Sequence, residues 1–273
     1  MKIGDFSVLM SVYKKEKPQY LRNALKSIEE QLLCPNQIII VKDGPLTNEL
    51  DSILDDFERK YFEIVKLVMN KENKGLAYSL QKGLGYCDNQ IIARVDSDDI
   101  NYEKRFLTEF NYLNENPKVS VVGCQIEEYD PNIGNLGVRK VPITSKKIYD
   151  FSKKRNPLNH MSVMFRKSAV LSVGGYEQVS LFEDYFLWVK LLNKNYKISN
   201  LPMELVRATV DSQFYSRRGG LSYLKKEVYF QYRCYKIGFL SIYEFVRNVI
   251  MRTGVRIFPN SVLQFLYRHI LRG

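Results

Sequence analysis

Residues 91–100 read IIARVDSDDI, an apolar run of strand length that breaks off into three aspartates within four positions. A short continuous run rich in branched aliphatic residues is what a strand buried on both faces of a sheet requires. Like charges this close repel, so Asp96, Asp98 and Asp99 are costly together unless a cation sits among them. A hard divalent ion, Mn2+ or Mg2+, takes one or two carboxylates and fills its remaining positions with diphosphate oxygens and water. A solvated Asp-rich turn capping the next helix is the other reading of such a string. Its place at the end of a central strand favours the metal.

Strand-length apolar segments recur on both sides of this one, at residues 6–12, 37–41, 64–69 and 119–123. Helical patterns alternate with them, the first opening at Pro18 and the others covering 50–61, 76–86 and 103–114. That order predicts an α/β fold with a mostly parallel central sheet flanked by helices on both faces. Beyond residue 130 the regularity weakens, with a strand expected at 161–166, a helix at 184–192 and a strand at 204–210.

In open sheets of this kind ligands bind beyond the carboxyl ends of the strands. The residues placed there are Tyr13, Asp43, Asn73 and the Asp96–Asp99 group. Asp43 sits in KDGPL, which is a turn sequence, but close to the acidic cluster its carboxylate could accept a hydrogen bond from a base N–H. Asn73, Lys74 and Gly75 precede a helix whose free N–H groups would suit an anion, although an ordinary glycine-opened helix has the same sequence. Glu183 and Asp184 open a helix in SLFEDYFLWVKLL, where acidic residues are favourable at any N-terminus.

Taken in this order, the motifs resemble the family 2 glycosyltransferases of GT-A fold, over most of the first 220 residues. The resemblance implies an inverting, metal-dependent hexosyltransferase of the kind that builds bacterial O-antigen, capsule and exopolysaccharide. It places backbone near Val12 and Tyr13 beside the nucleotide base, Asp43 on the base, and Asn73, Lys74 and Gly75 at the nucleotide pocket. DSDD becomes the family's DXD motif, with Asp96 near ribose and metal, Asp98 the main metal ligand and Asp99 in support. Asp184 becomes the catalytic base with Glu183 its neighbour, because inversion needs a carboxylate to take the acceptor hydroxyl's proton. Many members carry two acids at the base contact, whereas this chain has Lys42-Asp43, which leaves base identity open, with a UDP-sugar the expected donor. His160 falls where the family often has an acceptor-site histidine, and equally suits a structural role. Arg217 and Arg218, beside two glycines, could close over the donor diphosphate. The QxxRW pattern of processive synthases is absent, which implies one transfer per acceptor.

Composition bounds the alternatives. At 273 residues and 45% hydrophobic content the chain can bury a large core. Four cysteines without CxxC spacing and two histidines disfavour structural zinc. The opening residues read as a first strand and not a signal peptide, so a cytoplasmic protein is expected. From Tyr215 onward there are eleven Lys or Arg against two Glu, a net +9 of the chain's +11. We therefore expect a catalytic domain over 1–218, with its nucleotide-sugar half to about 125 and its acceptor half after it, followed by a basic helical extension over 219–273. Within that extension Arg247, Arg252, Arg256, Arg268 and Arg272 alternate with apolar residues in no run long enough to span a bilayer. An interfacial segment on the anionic inner face of the plasma membrane, next to a lipid-diphosphate-linked saccharide acceptor, is one expectation. Two helices packed on the domain are another, and a nucleic-acid-binding protein using the basic segment is the alternative function.

Overall fold

The computed structural model describes residues 2–210 and 220–257, and side chains of the last helix as far as Thr253. Its core is a nine-stranded sheet. In chain order the strands are β1 (Lys2–Val12), β2 (Leu33–Lys42), β3 (Val65–Met69), β4 (Ile91–Val95), β5 (Ile100–Asn101), β6 (Val119–Asp130), β7 (Gly134–Arg139), β8 (Met164–Arg166) and β9 (Lys197–Thr209). Spatially they run β3-β2-β1-β4-β8-β6-β9-β5, with β7 paired to β6. The first four are parallel neighbours, as their alternation with helices requires.

Alternation along the strands explains why they read as continuous apolar runs. Leu9, Ile39, Val41 and Ile92 pack on one face against Leu80, Leu84, Val170, Leu187 and Trp188. Val8, Met10, Ile38, Ile40 and Ala93 pack on the other against Leu21, Leu25, Leu54 and Phe106. The helices up to this point are α1 (Pro18–Glu29), α2 (Asn48–Lys60), α3 (Leu76–Leu84), α4 (Arg105–Glu115), α5 (Ser145–Ser152), α6 (Lys167–Ser172) and α7 (Glu183–Asn193). Two more, α8 (Gly220–Lys236) and α9 (Ile242–Ile257), follow. Phe230 of α8 stacks on Phe182, with ring centroids 4.9 Å apart, and lies 4.5 Å from the Tyr185 ring. α8 therefore shares the core on one face of the sheet.

The antiparallel β8 lies between β4 and β6. One expectation is corrected. The strand expected over 161–166 begins only at Met164, and His160–Ser162 form a 3-10 turn. Ser162 Oγ donates to the Asn159 carbonyl at 2.9 Å, closing that turn against an extended path.

Candidate active site

Three adjacent strands end together. Val12 of β1 is level with Lys42 of β2, and Met10 is level with Val95 of β4, so Tyr13, Asp43 and Asp96 all emerge at one edge of the sheet. Just past β2, Asp43 is buried and its carboxylate binds the loop that follows β3. Oδ1 accepts from Asn70 Nδ2 at 3.0 Å and from the Lys74 N–H at 2.8 Å, and Oδ2 accepts from the Gly75 N–H at 2.9 Å. Asn73 Nδ2 donates to the Asp43 carbonyl at 3.3 Å. The Gly75 N–H expected to be free for an anion is thus engaged, since a buried carboxylate left without donors would be costly. One lone pair of Oδ2 remains for a ligand. Gly44 makes this approach possible: at φ +84 its Cα lies so near the loop that a Cβ would come within 2.6 Å of the Asn73 nitrogen.

The second cluster follows β4. Carboxylate oxygens of Asp96, Asp98 and Asp99 lie within 4.8 Å of one another. Thr209, at the end of β9, fixes the turn: its N–H donates to Asp99 Oδ1 at 2.8 Å and its hydroxyl to the Asp98 carbonyl at 2.6 Å. Asp99 Oδ2 is buried with no partner among the described residues. Burial and the neighbouring Asp96 and Glu16 charges push the Asp98 carboxyl up to about 8. Burial, then Asp98 and Asp96, pushes Asp99 well up too. Three converging oxygens, one orphaned, in surroundings that penalise negative charge fit a hard divalent cation. Glu16, absent from the sequence-based set, adds a fourth acid from the loop after β1. It accepts from Lys17 N–H at 2.8 Å and from the Ser97 hydroxyl, and burial raises its carboxyl.

Glu183 and Asp184 open α7. Asp184 Oδ2 accepts a 2.6 Å hydrogen bond from Asn156 Nδ2. Burial raises the Asp184 carboxyl, while the Tyr185 N–H and Asn156 hold it down. Glu183 is pushed up to about 7, by burial first and then by the charge of Asp184. Glu183 therefore protonates readily beside Asp184.

Arg94 bonds to the first acidic group, and its charge reaches the second. Its side chain is 1% exposed and its Nη2 donates to Asp96 Oδ1 at 2.5 Å, while Nε and Nη1 reach no partner among the described residues. Burial opposes its charge and Asp96 outweighs that. The same guanidinium acts on Asp98, Asp99, Glu183 and Asp184. Tyr176 also feels both Asp184 and Asp96.

His160 lies behind this centre, buried, with Nε2 3.0 Å from the Tyr176 hydroxyl and its ring edge-on to Trp188. Burial, with Arg94, pushes its pKa well below the ordinary value, so it is a neutral partner of Tyr176. Val12 is buried and its carbonyl accepts from the Asp43 N–H at 2.8 Å, whereas Tyr13 is exposed at the rim. Lys74 pairs with Glu72. Arg217 and Arg218 lie outside the described residues. Of the residues the motifs did not mark, Arg94 carried a signal, a lone charge inside an apolar strand. Glu16, Asn156 and Thr209 carried none, since only folding brings them to the carboxylates.

Comparison with known proteins gives the family and the fold. The family described as "Glycosyl transferase family 2" matches residues 7–179. The Escherichia coli UDP-Gal:alpha-D-GlcNAc-diphosphoundecaprenol beta-1,3-galactosyltransferase is 36% identical over 98% of this chain and 96% of its own length. The amylovoran biosynthesis glycosyltransferase AmsE of Erwinia amylovora is 33% identical over 98% of this chain and 100% of its own. Among solved structures, the mannosyltransferase PcManGT of Pyrobaculum calidifontis, in complex with GDP-Man and Mn2+, superimposes with a TM-score of 0.60 at 14% identity. That superposition covers 98% of this chain and 81% of that one, and shows a shared GT-A fold.

Proposed function

The chain belongs to glycosyl transferase family 2 and is a glycosyltransferase, and from that premise we propose an inverting, metal-dependent transfer of one hexose or N-acetylhexosamine from a UDP-sugar. The acceptor is a sugar on a polyprenyl diphosphate, in the synthesis of a bacterial surface polysaccharide. The donor and acceptor follow from the E. coli relative, and the polysaccharide from that relative and AmsE. One relationship carries the chemistry: Arg94 donates to Asp96 at 2.5 Å and its charge reaches Asp184, and Tyr176 feels both carboxylates, which supports one site bordered by the acidic cluster and α7.

Asp184 takes the acceptor hydroxyl's proton as that oxygen bonds to the anomeric carbon. The bond from that carbon to the diphosphate breaks on the opposite face, and the nucleoside diphosphate leaves with the electron pair. Asp98, with Asp96 and Asp99 beside it, would hold Mn2+ or Mg2+, which when bound would supply positive charge to the leaving diphosphate. Asp43 holds the Asn73–Gly75 loop and offers its remaining lone pair to the base. A screen of nucleotide sugars against a synthetic lipid-diphosphate saccharide, with wild type and Asp184→Asn, tests this. Only the wild type should transfer, with UDP binding equal in both; wild-type turnover by Asp184→Asn would overturn the base assignment.

We also propose peripheral binding to the inner face of the plasma membrane through α9. Among the described residues no helix is long and apolar enough to cross a membrane. Tyr243, Val246, Ile250 and Met251 line one exposed face of α9 beside Arg247, a pattern suited to an interface. The arginines expected to face lipid are corrected in part. Arg252 turns inward to Glu227 and the Lys154 carbonyl, because Glu227 is buried and needs a counter-charge. Arg256, Arg268 and Arg272 lie outside the described side chains. Inward pairing of Arg252, and of Arg233 with Glu177, also removes support from the nucleic-acid alternative. Flotation with anionic vesicles should weaken on Tyr243→Ser/Ile250→Ser; an unchanged bound fraction would refute this contact.

A further inference from the structure

The buried polar side chains of the C-terminal helix pair all converge on one short loop. Asn248 of α9 is 4% exposed; its Nδ2 donates to the Lys153 carbonyl at 2.7 Å and to Gln231 Oε1 of α8 at 2.9 Å. One turn further on, Arg252 joins Glu227 of α8 to the Lys154 carbonyl. The Lys153 ammonium in return meets Glu244 at 3.6 Å and the Phe239 carbonyl. On the near side the Tyr185 hydroxyl, one residue after Asp184, donates to the Ser152 carbonyl at 2.8 Å. Three consecutive carbonyls, at Ser152, Lys153 and Lys154, are thus bonded by side chains from α7 and α9. Two residues beyond them stands Asn156, the hydrogen-bond partner of Asp184.

Cost makes this arrangement informative. Burying Asn248, Gln231 and Glu227 is unfavourable unless every group is partnered, and an apolar seam would join two helices as well. Polar groups aimed at backbone carbonyls fix a loop's position in a way that apolar packing does not.

We propose that Asn248 and Arg252 are positioning residues for transfer, holding the 152–156 loop so that Asn156 keeps Asp184 aimed at the acceptor hydroxyl. The inference rests on Asp184 being the base. It gives the C-terminal pair a second role: its outer face meets the lipid surface while its inner face sets the geometry of the site. A misplacement of about 1 Å at a reacting group can cost on the order of 100-fold in rate.

The full-length enzyme, assayed in detergent with a short-chain lipid-diphosphate acceptor so that vesicle binding plays no part, provides the test. Asn248→Leu is expected to lower kcat by about 10- to 100-fold, with UDP–Mn2+ affinity and donor KM unchanged. Asn156→Ala should cause a similar loss, and the double variant should be no slower than the worse single one. The acid limb of the pH–rate profile should move the same way in both. Arg252→Lys, which keeps a donor, should retain more activity than Arg252→Met. Wild-type kcat in Asn248→Leu, losses that multiply in the double variant, or UDP affinity falling in step with kcat would each overturn the proposal. If Asn248→Leu does not fold, Asn248→Gln and Arg252→Lys supply folded variants for the same comparison. Failure of the base assignment is read separately: there, Asp184→Asn itself stays active.

Discussion

Asn156 Nδ2 lies 2.6 Å from Asp184 Oδ2, a charge-assisted hydrogen bond between a loop and the first turn of α7. It fixes one carboxylate oxygen and leaves the other to meet a substrate proton. Burial raises this carboxyl; the Tyr185 and Asn156 donors oppose that.

Removing the donor should therefore change the pH profile in a known direction. The hydrogen bond stabilises the ionised form, so Asn156→Ala raises the Asp184 pKa, and activity is lost at a higher pH as the medium is acidified. An acid limb of kcat/KM that stays where it is in the wild type would show that another group limits the reaction.

Asp98→Ala should abolish metal-dependent donor binding. Loss of the main ligand is expected to weaken Mn2+ affinity by at least about 10- to 100-fold, read by calorimetry with UDP and Mn2+. Thermal stabilisation of the wild type by Mn2+ should disappear in the same variant.

Glu183 gives a stability effect of defined sign. Its carboxyl titrates at about 7 in the folded protein against 4.5 ordinarily. The folded state binds this proton more tightly than the unfolded chain, so the stabilisation is full below the ordinary value and is lost as pH rises through about 7. Glu183→Gln should leave Tm little changed near pH 4 and raise it relative to wild type near pH 8. An equal Tm difference at both pH values would remove the titration from the account.

Asp43→Asn tests the loop clasp. An amide can accept on only one side, so one of the Lys74 and Gly75 N–H groups loses its acceptor and faces an NH2. A cost of about 1–3 kcal/mol is expected, seen as a lower Tm in thermal melts together with a raised donor KM. A rise in donor KM with no fall in Tm would assign Asp43 to base recognition alone.

Much of the fold was legible because β1 to β4 and the helices between them have local signatures: continuous apolar runs for strands covered on both faces, and helical spacing for Leu21, Leu25 and Ile28. β8 was expected three residues too long, and its insertion beside β4 was not legible, because that placement is a matter of topology. β9 proved longer at its start than expected because Ser199 and Asn200 look like loop residues. They are tolerated in the strand, with Asn200 Nδ2 donating to the Pro142 and Pro157 carbonyls.

The sequence by itself determined the chemical inventory, from the Asp96, Asp98 and Asp99 cluster to the acidic opening of α7, because strand ends and helix starts are local events that fix which residues face the sheet edge. Only the tertiary structure decided which of these groups share one site, and that Arg94, Glu16, Thr209 and Asn156 join them. Those contacts span up to 111 positions of the chain, and no local pattern encodes a contact whose partners meet only after the core between them has packed.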